Sequence, residues 1–165
     1  MEPQACREQF ARHLADETAL LISLEQQLQH EHGLLATNDI DGLEKASGTR
    51  QQTVARLLRV DDERRGLCRV RKLPPDAKGL AALLAWCDPT GSLADAQAQC
   101  TTHAQRCREQ NERNGALVTA RLNRVGGMLD MIAGDNPANT YQPRAGVRAA
   151  TAFQQPTGRM VSTSA

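Results

Sequence analysis

The sequence predicts an all-α fold: an antiparallel bundle of long, coiled-coil-like helices with one short helix and a disordered C-terminal tail. Three observations predict it. Apolar residues recur every three to four positions from Phe10 to Ile132, a spacing that gathers them on one side of a helix but scatters them over both faces of a strand. The aromatic residues are only Phe10, Trp86, Tyr141 and Phe153, whereas sheets favour aromatic and β-branched side chains. After Gly134 the periodicity stops, and Gly, Pro, Thr, Ser, Gln and Ala dominate. Such a segment buries too little surface to offset its ordering entropy. The expected organisation is a helical domain over 1–134 and a flexible basic tail over 135–165.

The first helix carries the clearest pattern. Phe10, Leu14, Glu17, Leu21, Leu24, Leu28, Glu31 and Leu35 alternate steps of four and three, a heptad seam. Glu17 and Glu31 sit at seam positions yet lie about 21 Å apart at ~1.5 Å per residue, too far to share a substrate atom. They are expected to snorkel or to meet an arginine. Asn38-Asp39-Ile40-Asp41 breaks the pattern and offers N-caps. A second, less apolar series follows: Ile40, Leu43, Ser47, Arg50, Val54, Leu57, Asp61, Arg64 and Cys68. Its end gathers cations, Arg64 and Arg65 through Arg69, Arg71 and Lys72, where a helix dipole favours them. No aromatic residue is interleaved to stack on bases.

Leu73-Pro74-Pro75-Asp76 forces a turn. Leu80, Leu83, Leu84 and Trp86 predict a short helix, with Trp86 as a lid on the core, before Asp88-Pro89-Thr90-Gly91 stops it. Thr90 or Ser92 then caps a last helix of about 40 residues, or roughly 60 Å. Its stripe runs Leu93, Ala96, Cys100, His103 and Cys107, shifts register through Asn111 and Asn114, and resumes at Leu117, Val118, Leu122, Val125, Met128, Leu129 and Ile132. A helix this long outruns the cover that so small a bundle provides, so part of its face should stay open. The competing expectation is closure onto the first helix. Gly126-Gly127 lowers helix propensity there by about 2 kcal/mol relative to Ala-Ala, and Met128 and Met131 are side chains that repack readily on a partner.

Composition excludes several functions. The chain has 165 residues and a formal charge of +1, which gives no overall electrostatic case for nucleic acid or an anionic membrane. Mean hydropathy is −0.51, and no run of about 18 apolar residues spans a bilayer. The N-terminus lacks the basic-then-apolar order of a signal peptide. Five cysteines without a CxxC pair read as reduced thiols, and the expected compartment is the cytoplasm.

Cys100-x2-His103-x3-Cys107 places zinc-type ligands on one helix face, but the same residues fill core positions, and no spacing specifies a fourth ligand. His30 and His32 point about 200° apart and do not converge. No nucleophile elbow, phosphate loop or dinucleotide fingerprint occurs. The expectation is no enzyme, no metal and no cofactor. Asn111 and Asn114 are expected either to hydrogen-bond across the bundle and set its alignment or to face solvent.

Taken together, these residues resemble the FlgN flagellar export chaperones. The resemblance rests on the heptad helix carrying a Glu, the second helix opened by Asp39 and Leu43, and the small Trp86 helix. It continues through Asn111-x2-Asn114-Gly115-x-Leu117-Val118-x2-Arg121, the Leu129-x2-Ile132-x-Gly134 end, and the downstream Tyr141 and Gly146. It implies a cytoplasmic chaperone that binds the C-terminal helical segments of the hook–filament junction proteins FlgK and FlgL and escorts them to the export gate protein FlhA. By position, the helix from Leu117 to Ile132, with Asn114 before it, corresponds to the cargo site and Tyr141 to the gate contact. The alternative is a structural coiled-coil homodimer or scaffold using the same stripes without a role in export.

Overall fold

Among the described residues, 2–133 of the computed structural model, the chain forms helices and no strand. The helices are α1 (Pro3–Thr37), α2 (Ile40–Val70), the short α3 (Ala77–Cys87) and α4 (Ala94–Ile132). The tail expected over 135–165 lies outside the described residues. No described helix is long and apolar enough to cross a membrane.

Local chemistry sets the helix ends. Pro3 opens α1, where a missing N–H costs nothing. Asn38 closes it in the left-handed region at φ 61, its N–H returning to the Leu34 and Leu35 carbonyls. The Asp39 side chain then accepts the Gly42 N–H and starts α2. Asp76 does the same for α3 through Gly79. Gly79 is required there, since a Cβ would run into the Pro74 carbonyl.

The start of α4 differs from expectation. Neither Thr90 nor Ser92 supplies the cap. Both hydroxyls instead donate to Asp88, whose carboxylate also accepts the backbone N–H groups of Ser92 (3.0 Å) and Leu93 (2.8 Å). The Ser92 hydroxyl, followed by those N–H groups, holds the Asp88 carboxyl below its ordinary 3.8. A carboxyl lowered on folding contributes stability above its ordinary range and loses it as pH falls through the lowered value. Asp88→Asn should therefore lower the urea midpoint at neutral pH. The gap to the parent protein should close in titrations carried below pH 3.8; a gap independent of pH would refute the assignment.

The chain divides into two compact units, Met1–Leu117 and Val118–Ala165, with the division inside α4. In the first unit, α1 buries Phe10, Leu14, Leu21, Leu28, Glu31 and Leu35, with Glu17 and Leu24 half-buried, as its heptad seam predicts. Helix α2 runs antiparallel to it. Arg64 Nη1 meets Glu17 Oε2 at 2.9 Å and Arg50 Nε meets Glu31 Oε1 at 2.8 Å. Both pairs are fourteen residues apart on each helix, so a one-heptad slide would strand a part-buried carboxylate against the wrong neighbour.

The first part of α4 runs alongside α1 in the same direction, because α3 intervenes after the α2 return. Cys107 Sγ donates to the Leu21 carbonyl and Asn114 Nδ2 to that of Leu28, both with a sequence separation of 86. At one end of the unit, Cys6, Phe10, Cys68, Leu83, Cys87 and Leu93 belong to a common core cluster, against which Trp86 packs. The Arg71 guanidinium lies 4.0 Å from the centre of the Trp86 ring.

One further sequence expectation needs correction. The buried residues of α2 are Thr53, Val60, Leu67 and Cys68, so its face is turned by about one residue from the predicted Val54, Asp61, Cys68 line, and Ile40 is exposed. The predicted charged positions Arg50 and Arg64 lie at the edge of that face, where they reach the α1 glutamates. The cations at the end of α2 are also engaged by side chains: Asp61 holds Arg64 and Arg65, and Asp62 holds Arg69.

Candidate partner-binding surface

In the first unit, α4 contributes Cys100, Cys107 and Asn114 to the interior. Seven-residue steps place these small side chains at one point of the helix, turn after turn. The seam therefore continues unbroken to Asn114, and the register shift falls after it. Asn111 is exposed, whereas Asn114 is buried. Asn114 Nδ2 donates to the Leu28 carbonyl at 2.9 Å, while Oδ1 accepts from His32 Nδ1 at 3.0 Å and from Gln110 Nε2 at 3.3 Å. Its donor and acceptor groups are thus committed within the chain, which suits alignment of α4 on α1. Leu117, at the edge of this unit, is half-buried.

Cys100, His103 and Cys107 are explained by the same packing. Burial pushes the Cys100 and Cys107 thiols up to about 11, so they are protonated and unreactive. The His103 ring points at Glu25, with Nδ1 at 3.0 Å from Oε2. Among the described residues no group of three or more His, Cys, Asp and Glu side chains is arranged to hold a metal ion. His30 is exposed, and Glu31 between the two histidines is taken by Arg50.

The second unit contains the apolar series. Val118 is 41% exposed, Leu122 67%, Val125 54%, Met128 54%, Leu129 60% and Ile132 80%. Met131, which the sequence names with Met128 as a side chain that repacks on a partner, is 82% exposed and extends the surface. Single exposed apolar residues are ordinary, but a contiguous row at helical spacing marks an interaction surface. Gly126 and Gly127 lie within the row, and nothing comes within 4 Å of a Cβ built on either. Among the described residues, packing therefore does not impose them. They weaken the helix by about 2 kcal/mol relative to alanines. Tyr141 lies outside the described residues.

Such a surface can bury an amphipathic helix along its length. In a comparison with known families, residues 1–149 match FlgN, described as FlgN protein. No curated protein and no solved structure matches the chain.

Proposed function

The chain belongs to the FlgN family of flagellar export chaperones, and from that premise we propose that it acts in the cytoplasm on the hook–filament junction proteins FlgK and FlgL. It binds their C-terminal helical segments and delivers them to the export gate protein FlhA. The observation that carries this reading is the exposed apolar row over 118–132. A cargo helix laid on Val118, Leu122, Val125, Leu129 and Ile132 gains about 25 cal/mol for each Å² of apolar surface removed from water. Ordering the segment around Gly126-Gly127 subtracts from that gain, which keeps the complex releasable at the gate. Asn114 contributes by aligning α4 on α1.

The handover is assigned to Tyr141, an aromatic ring with a hydroxyl that can anchor a small contact. Tyr141→Ala should weaken FlhA pull-down at least tenfold and leave FlgK binding unchanged. An equal fall in both would show that cargo and gate sites are not separate.

Co-purification from a flagellated host, with mass-spectrometric identification of the partner, tests the reading directly; recovery of FlgK or FlgL is the expected result. A structural homodimer would use the same row, and light scattering separates the two. A tight dimer that resists cargo would overturn the chaperone assignment of this surface.

A further inference from the structure

Three of the five thiols gather in the core that α1, α2 and α3 share. Cys6, Cys68 and Cys87 are 0%, 2% and 4% exposed and belong to the same cluster as Phe10 and Leu83. Within it the Cys6 and Cys87 thiols hydrogen-bond to each other, while Cys68 acts on Cys6 only weakly and through its charge. The two bonded thiols lie at helix ends. Cys6 is in the first turn of α1, its N–H reaching the Glu2 carbonyl at 3.0 Å, and Cys87 is the last residue of α3, a helix of 11 residues. Terminal turns open at little cost, and so short a helix is marginal without its packing. Cys68 is held more firmly, since its carbonyl accepts the Arg71 and Leu73 N–H groups that close α2. The neighbours of Cys100 and Cys107 are Glu17 and Glu25, and the Cys107 thiol donates to the Leu21 carbonyl.

We propose that Cys6 and Cys87 form a latent disulfide, a two-electron redox switch that ties the first turn of α1 to the end of α3 when a hydroperoxide is present. In the closed fold, burial and the neighbouring thiol push Cys6 up to about 11, so the pair stays protonated and inert. Opening of the first turn of α1 brings Cys6 into water, where its thiol returns towards its ordinary 9.0 and yields thiolate. The Cys6 sulfur then attacks the hydroperoxide and the O–O bond breaks. A sulfenic acid forms, and the departing oxygen takes up the proton that the thiol lost. The Cys87 sulfur displaces the hydroxyl, forming the S–S bond and releasing water with the Cys87 proton. Each sulfur loses one electron, and each peroxide oxygen gains one. The bond restricts the unfolded chain over a long loop, so the first unit becomes harder to unfold. None of this depends on the cargo surface.

Hydrogen peroxide applied to the reduced full chain, followed by denaturation, alkylation and peptide mapping, tests the proposal. The expected product links Cys6 to Cys87, forms equally well in Cys68→Ser, and is absent from Cys6→Ser and from Cys87→Ser. The oxidised protein should melt about 5 °C or more above the reduced one, and dithiothreitol should reverse both changes. A link through Cys68, a sulfinic acid without a link, or five thiols still free after hours in excess peroxide overturns the proposal. So does a linked protein whose melting temperature is unchanged or lower. The unaltered chain supplies the mapped product, so a serine variant that fails to fold leaves the result readable.

Discussion

Val125→Asp combined with Leu129→Asp should reduce FlgK binding by about 100-fold or more while leaving the helical content and melting temperature nearly unchanged. The two side chains are 54% and 60% exposed, so the free protein loses little packing when they change. Substitutions at such positions stay within about 0.5 kcal/mol, and aspartate adds a helix-propensity cost of at most ~0.7 kcal/mol per site. In the complex the balance is different. Each apolar anchor that is fully buried is worth about 1.5–3 kcal/mol, and a carboxylate in its place is desolvated without a partner. Losing two anchors removes at least ~3 kcal/mol, or two orders of magnitude in affinity. Calorimetric titration with the FlgK C-terminal segment, alongside circular dichroism, measures both quantities. Undiminished binding by a folded double variant would sink the assignment of this surface.

Phe10→Ala should show the opposite signature, a large loss of stability. Phe10 is fully buried in the core cluster with Cys6, Leu14, Cys68, Leu83 and Cys87. Removing a ring from so enclosed a site costs about 3–5 kcal/mol through lost transfer energy and the cavity left behind. Domains of this size are stable by only ~5–15 kcal/mol, so the melting temperature should fall by about 10 °C or more. Urea unfolding followed by circular dichroism tests this. A fall under 1 kcal/mol would mean that the core is not closed around Phe10.

Much of the fold was legible from the residues because its determinants are local. The heptad steps of α1, the Asn38-Asp39 break, the Pro74-Pro75 turn and the length of α4 each depend on neighbours within one or two helical turns. The row over 118–132 was legible for the same reason, since periodicity on a single helix identifies an apolar face without reference to the rest of the chain. That Glu17 and Glu31 would either snorkel or meet an arginine followed from their seam positions, but which of the two, and which arginines, did not. Sequence separations of 47 and 19 connect those pairs, and nothing local encodes them.

The Asp88 cap was missed for a related reason. Thr90 and Ser92 are ordinary capping residues, and only the path of the turn brings all four donors to one carboxylate from two to five residues upstream. In α2, the weak apolar pattern pointed to a line through Val54 and Asp61 and left Val60 out of it. Packing against α1 chose the Thr53, Val60, Leu67 line, which lets Thr53 accept a hydrogen bond from Gln27 Nε2 at 2.9 Å and Arg50 reach Glu31.

The sequence by itself determined where α1, α2 and α3 begin and end and which α4 residues form an apolar row, because caps and periodicity act over a few residues. Tertiary structure alone decided the rotation of α2, the partners of Glu17 and Glu31, and the separation of buried Asn114 from exposed Asn111. Each of those depends on which faces of distant helices meet, and two positions three residues apart on one helix differ only through what lies across from them.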